Sequence, residues 1–329
     1  MSLSFIDVLQ WTSRLMIIPS TLLTILLVYV ILKKSPKSMS HYKYILIFIT
    51  MICYNFDFVV CFAVAPNNFS GVVGAQMVGP VARLFSTRGF WLGLAVAFSL
   101  CLQIGCCTLG FLFREHVVTG ERDSRLQTWI RAAQLLLFVV SVFAIVPVFS
   151  LSVNSEQETR RYLQNISLVP CEGCAVVVVT RPMTLQIGGI YSLFYLLIVS
   201  TFIGKSIYRI TSSLSDHKHM SISTIRLQRM LLKALIWQTA MPFLLIIVPV
   251  LIIILNLVIF PYTPGLRPSS QFRLNMMSLA IATPSLFTIT HVICVLYFTT
   301  PYKNWLFRCR RHCLVETSSI RVTTSSIVE

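Results

Sequence analysis

Asp57 is the only acidic residue inside the long apolar stretches of this chain. A charge in hydrocarbon is expensive, so such a residue is functional or paired. Two readings stand side by side. Asp57 is a ligand contact, an ion contact or a switch, or it is a carboxyl bonded to neighbours such as Asn55 or to another helix. Arg114 and Glu115 form an adjacent pair of opposite charge. Cys171 and Cys174 have C-x-x-C spacing, but the context of a redox or zinc motif is missing, which leaves a disulfide, either local or to another cysteine. His217 and His219 flank Lys218 without a third ligand, a poor metal site. Gln103, Gln186, Gln238, Asn256 and His291 suit bonds between helices. There is no G-x-S-x-G, Walker A, H-E-x-x-H or G-x-G-x-x-G, and no paired carboxylates in the apolar runs. The residues imply neither an enzyme nor a cofactor.

Those groups need elements to position them, and composition says which. Of 329 residues, 56% are hydrophobic and 12% charged, with mean hydropathy +0.78. A soluble domain carries roughly 25% charged residues. A soluble enzyme, a disordered chain and a coiled coil are excluded. The net charge of +16 is then a membrane-orientation signal, since no basic, aromatic-interleaved surface for nucleic acid exists. Apolar runs long enough to cross hydrocarbon occur at Leu15–Leu32, Tyr44–Ala65, Phe90–Phe113, Ala132–Leu151, Leu185–Gly204, Ala234–Phe260 and Leu274–Phe298. They predict an all-α membrane protein, a bundle of seven transmembrane helices. Strands are not expected, because the runs are continuous rather than alternating. Val72–Leu84 reads as a loop or the outer start of the third helix. The first run is followed by Lys33-Lys34 and no cleavage site, so it reads as a retained helix rather than a signal peptide. Pro147, Pro242, Pro249 and Pro284 lie inside runs and are expected to bend them.

Alternating the loops puts 19 Lys and Arg on one side and 8 on the other, together all 27. The positive-inside rule then places the amino terminus outside and the tail in the cytoplasm. The expected organisation is an outer segment 1–14, a bundle 15–298 and a cytoplasmic tail 299–329. The two N-x-S sequons, at Asn68 and Asn165, fall in loops on the predicted outer side, as does Cys171-Glu172-Gly173-Cys174. On the inner side, Arg226, Arg229 and Lys233 share one face of an extended sixth helix. They would contact a cytosolic partner or simply anchor the helix at the interface. Pro301–Cys313 alternates aromatic and basic residues, as in a short helix along the inner leaflet. Cys309 and Cys313, at i and i+4, are palmitoylation candidates.

Seven spans with an outer amino terminus suggest a bundle like that of G-protein-coupled receptors, and particular residues go further. Met220–Gln238, continuing to Pro242 and Pro249, resembles the Thr-x-x-Leu-Gln-x-x-Leu-Leu-x-Ala-Leu-x-x-Gln-x-x-x-Pro-x-x-x-x-x-x-Pro pattern of nematode serpentine chemoreceptors of the Str superfamily. Ser35–Tyr44, Asp57, and Pro301-Tyr302-Lys303 look most similar to serpentine receptor class H, with class I next. The resemblance implies an odorant or pheromone receptor of the plasma membrane, in sensory-neuron cilia. Its partners would be a small-molecule ligand and a heterotrimeric G protein. The expected pocket lies among the outer halves of helices two, three, five, six and seven. Asp57, Phe98, Tyr191, Phe194 and Phe243 are its candidate contacts, although aromatics at such spacing usually fill cores. Arg114, Arg226, Arg229 and Lys233 are candidate G-protein contacts. The chain departs from rhodopsin-like receptors. Phe113-Arg114-Glu115-His116 replaces acid-Arg-aromatic, with Glu115 the expected local partner of Arg114. Helix seven lacks Asn-Pro-x-x-Tyr, and no cysteine opens helix three. The rivals are a seven-helix ligand-gated channel with its amino terminus inside, and a small-solute transporter. The absence of internal repeats and of matching broken helices weakens the transporter.

Overall fold

The computed structural model describes residues 5–35, 39, 42–68, 74–85, 88–119, 125–152, 155–165, 174–178, 182–215, 222–254, 272, 275–276, 279 and 282–306. Helical residues stand at every one of the predicted apolar runs. Helices α1 (Phe5–Leu15) and α2 (Ile17–Lys34) form the first span. Their hydrogen bonding continues through Met16, whose N–H donates to the Thr12 carbonyl at 3.0 Å. Helix α3 (Tyr42–Asp57) runs on into a π-helical turn, Phe58–Val64. The third span is the 31-residue α5 (Gly89–Thr119). The fourth is split into α6 (Arg125–Phe143) and α7 (Ile145–Ser152). The split follows from Pro147, which has no N–H to offer the carbonyl of Phe143 four residues back. Helices α9 (Pro182–Ser215) and α10 (Ile222–Ile254) have 34 and 33 residues. At 1.5 Å per residue each is about 50 Å long, more than hydrocarbon of about 30 Å requires. The seventh span ends in a 3-10 turn, Thr283–Leu286, followed by α11 (Phe287–Phe298), and residues 300–306 are again helical.

The burial pattern is that of a membrane bundle. Among the described residues, Trp11–Lys34, Tyr42–Val64, Gly89–Thr119 and Ile187–Ser215 are each long and apolar enough to span. Leu22, Ile25, Tyr44, Leu136 and Leu197 are each more than 55% exposed, so the outer face is as apolar as the core. Hydrocarbon is the solvent that tolerates such a surface. Inside, one cluster joins α3, α5, α6, α7, α9 and α11 through Ile49, Cys53, Ile104, Val142, Ile145, Val199 and Phe287. A second joins α2, α3, α10 and α11 through Leu27, Ile31, Leu46, Leu231, Val295 and Tyr302.

Strands do occur, against expectation. β1 (Pro66–Asn68), β2 (Gly74–Met77) and β3 (Ala175–Val178) form an antiparallel sheet in the order β1-β2-β3. Asn67 faces Gln76, and Ala75 faces Val177. They are too short to appear in a search for spans, and they sit in connections, where a sheet edge is tolerated as it is not in lipid. The segment read as a loop or the start of the third helix is instead β2 plus a separate short helix, α4 (Pro80–Leu84). Helix α8 (Glu156–Asn165) covers β3 through Leu163 against Val176 and Val178. It opens with a reciprocal cap: the Ser155 N–H donates to Glu158 at 3.2 Å, and the Glu158 N–H donates to the Ser155 hydroxyl at 3.3 Å.

The sheet seats directly on the third helix. A side chain at Gly89 would strike the backbone carbonyl of Val176 in β3. Gly89→Val is therefore expected to lower the thermal midpoint of the purified protein by several degrees, a cost of about 1–3 kcal/mol. Gly204→Ala, with nothing within 4 Å of the added atom in a helix interior, should hold or slightly raise the midpoint in the same thermal-shift measurement.

Candidate functional site

Asp57 is 1% exposed and sits where α3 passes into the π-helical turn. Its Oδ2 accepts a hydrogen bond from the backbone N–H of Thr288 at 3.0 Å. Thr288 lies in the first turn of α11, where backbone N–H groups lack partners within the helix and the dipole favours a negative group. Asp57 therefore caps the seventh span from the second. Asn55, the other partner considered for it, is exposed. The Thr288 hydroxyl lies beside the same carboxyl but outside bonding geometry. Oδ1 has no hydrogen-bond partner among the described residues.

More polar groups converge around this acid. Cys53, one turn back on α3, lies near Asp57, Cys107 and Gln103, and Cys107 lies against Thr239 of α10. Gln103 is wholly buried, and both of its amide atoms, like Gln238 Oε1, Thr239 Oγ1 and His291 Nδ1, have no hydrogen-bond partner among the described residues. The Thr50 hydroxyl and His291 Nε2 stand 3.3 Å apart, tying α3 to α11 a second time. Buried polar atoms are normally satisfied by protein or by ordered water.

The candidate ligand contacts do not form one wall. Phe98 is half-buried against Phe143, ring centroids 6.2 Å apart, and Tyr191 stacks on Tyr195 at 6.2 Å. Both pack on the cluster that contains Cys53. The Tyr195 hydroxyl donates to the carbonyl of Cys101 at 2.8 Å, fixing α9 to α5. Phe194, by contrast, is 58% exposed on the outer face of α9. It is one residue from Tyr195, and neighbouring helix positions point about 100° apart. The Phe243 side chain lies outside the described residues.

At the far end of α5 two clasps hold the bundle. Arg114 is 3% exposed; its Nη1 donates to Gln228 Oε1 on α10 at 2.6 Å, and its guanidinium lies 3.8 Å over the Tyr42 ring of α3. Its Nε and Nη2 have no partner among the described residues. Glu115 accepts from Arg209 at 2.5 Å and from the Ser206 hydroxyl at 2.7 Å, both on α9. The expected Arg114–Glu115 pairing is thus corrected. Residues i and i+1 on a helix do not face each other, so each reaches a different neighbour. Arg226, Arg229 and Lys233 are exposed on α10. Arg229 also reaches the Leu214 carbonyl in the last turn of α9 at 3.5 Å, and cations suit that end of a helix. After the last span, Tyr302 is fully buried, 2.7 Å from the Ser35 hydroxyl. Burial pushes the Tyr302 phenol up and the Ser35 bond draws it partly back, so it remains protonated at neutral pH.

Sequence reasoning missed Tyr42, Ser206, Arg209, Gln228 and Thr288. Ser206 and Arg209 are i and i+3 on one helix, a legible signal once Glu115 needs a partner. Gln228 stands within the quoted Leu-Gln pattern but was assigned no role. Cys174 is disulfide-bonded, to a partner outside the described residues. Cys171, Cys309 and Cys313 also lie outside them.

Replacing Asp57 should separate its charge from its capping role. Asp57→Ala strands the Thr288 N–H in the core, with an expected loss of about 1–3 kcal/mol and a lower thermal midpoint. Asp57→Asn keeps an acceptor and should keep most of the midpoint.

No curated protein matches the chain. A family model described as serpentine type 7TM GPCR chemoreceptor Srh matches residues 5–312, nearly the whole length. The match accounts for the seven helical spans, and the chain belongs to the Srh family of seven-transmembrane, G-protein-coupled chemoreceptors.

Proposed function

We propose that this receptor lies in the plasma membrane of a sensory cell, by family resemblance in the cilium. It takes up a small extracellular molecule at its sheet-bearing end and passes the event to a heterotrimeric G protein at the opposite end. The observation that carries the proposal is the pair of clasps on consecutive residues of α5. Arg114 holds the inner end of α10 through Gln228, and Glu115 holds that of α9 through Ser206 and Arg209. Both helices outrun the hydrocarbon at this end, and Arg226, Arg229 and Lys233 stand exposed there for an acidic cytosolic surface. Once α10 moves away, the unbonded Arg114 donors are available to carbonyls of a partner.

The ligand acts by binding one arrangement of the helices better than the other. Asp57 is well placed for this, because it joins the second and seventh spans beside Gln103. Phe98 and Tyr191 are the aromatic contacts that the packing supports. G-protein binding must in turn tighten ligand binding by the same factor. Palmitoyl groups on Cys309 and Cys313 would hold the tail at the inner leaflet.

The test is G-protein activation in cells expressing the chain, read with and without a ligand panel. Gln228→Ala removes the Arg114 clasp between α10 and α5 and should raise ligand-independent activation several-fold at equal surface expression; a coupling of 1–3 kcal/mol is typical. Basal activity at the wild-type level in this variant, together with ligand-gated current that needs no G protein, would establish the channel instead.

Orientation has its own test. Asn68 lies in β1, and Asn165 ends α8, which packs on β3, so both sequons belong to one end of the bundle. Asn68→Gln and Asn165→Gln should each remove one glycan, seen as a step in gel mobility. An unglycosylated wild-type chain whose amino terminus is protected from external protease would reverse the topology.

A further inference from the structure

A cavity of about 670 Å³ opens at the sheet-bearing end, between the first span and the Pro80–Leu84 helix. Trp11, Leu15, Ile18 and Phe62 give it apolar walls, and Arg14 and Arg83 bring two cations into it. Arg14 is half-buried and lies 5.5 Å over the Trp11 ring. The two guanidiniums repel each other. Neither forms an ion pair among the described residues, where the one salt bridge is Arg209–Glu115. Two cations converging on an apolar groove are unfavourable without an anion between them, and guanidinium forks match phosphate geometry.

The shape of the cavity says what carries that anion. Trp11, Leu15 and Ile18 fall at i, i+4 and i+7, one stripe running down the first span. All three are 58% exposed, so the groove opens sideways toward lipid. Trp11 and Arg14 stand at the start of the spanning segment, the level at which Trp and basic side chains meet headgroups. A soluble anion satisfies the arginines and leaves the stripe bare. A zwitterionic lipid brings its phosphate together with an ammonium, which adds a third cation beside the arginines.

We propose that this cavity is a binding site for an acidic membrane phospholipid. Its headgroup phosphate bridges Arg14 and Arg83, and one acyl chain lies along Trp11, Leu15 and Ile18. The occupant joins the first helix to α4, which is bonded in turn to the π-helical turn beyond Asp57, since the Gly79 N–H donates to the Val64 carbonyl at 2.9 Å. The site is independent of which molecule the receptor senses.

The full chain, purified in mild detergent, is mixed with phosphatidylglycerol or phosphatidylcholine, and lipid retention is read by native mass spectrometry alongside the thermal midpoint. Retention of phosphatidylglycerol should exceed that of phosphatidylcholine roughly tenfold, as two basic contacts to an anionic lipid allow, with a higher midpoint. In R14Q/R83Q the preference should vanish while the midpoint in phosphatidylcholine stays at the wild-type value. If the double variant is not folded, Arg83→Gln alone serves, because this exposed side chain is not needed for packing. Equal retention of the two lipids by wild type overturns the proposal, as does a preference that survives in the variant. A midpoint raised as much by inorganic phosphate or by a short-chain carboxylate, without retained lipid, assigns the cavity to a soluble anion and also overturns it.

Discussion

Lipid offers no hydrogen bonds, so a helix that crosses it must bond its own backbone or borrow from a neighbour. Most of this bundle obeys the first option, with helices of 31, 34 and 33 residues. The second option is concentrated at Asp57. The second span turns from α to π geometry immediately after this residue, and the seventh turns from 3-10 to α geometry just before Thr288. The two irregular turns touch. One carboxylate oxygen then receives a backbone N–H at the point where the seventh helix begins its α geometry. The π-helical turn is closed beyond by Ala65, which has a φ of 44° and is followed by backbone bonds from Val78 and Gly79 to Ala65 and Val64. The irregular stretch of the second span is thereby anchored at one end to the seventh span and at the other to the residues that open α4.

The spans were legible in the sequence because hydrocarbon thickness imposes a length that few other structures need. The faces of those spans were not. A helix apolar on every side carries no amphipathic signal, so Phe194 and Tyr195 look equivalent until packing puts one outside and the other against Cys101. The sheet was hidden for another reason. Gly74–Met77 pairs with Ala175–Val178 about a hundred residues away, and nothing local in three or four residues specifies such a partner. Asp57 was legible as a residue under constraint but not as a cap, since its partner is a backbone N–H, a group that every residue but proline possesses. Arg114 and Glu115 were misread together because adjacency along a chain was taken for adjacency in space.

The third helix is where these constraints meet. Gly89 and Gly93 admit the backbone of β3 and the ring of Phe149 at one end. Gly110 admits Ile49 and Leu235 further along. Between them Gln103 and Cys107 face the polar core, and beyond them come the two clasps. About 37 Å separates Gly89 from Arg114 at 1.5 Å per residue, so one rigid element touches the sheet, the core and the opposite end of the bundle. The absence of a side chain at three places lets it approach its neighbours closely enough to do so.

The two clasps differ in strength, and the difference sets an order of release. Glu115 meets a cation and a hydroxyl, so both of its carboxylate oxygens are engaged. Arg114 makes one hydrogen bond, to a neutral amide, and lies over the Tyr42 ring, while its Nε and Nη2 have no partner among the described residues. A bond between two charged groups is stronger than one with a neutral acceptor, and a buried cation with unbonded donors is raised in energy. Rotation of α5 would disturb both clasps at once, because their side chains lie only about 100° apart. Displacement of α10 alone breaks the Arg114–Gln228 bond and the Arg229 contact with the Leu214 carbonyl, and leaves the Glu115 clasp between α5 and α9 in place. Of the two clasps, the one on α10 therefore costs less to open, and opening it leaves Arg114 with the Tyr42 ring as its contact among the described residues.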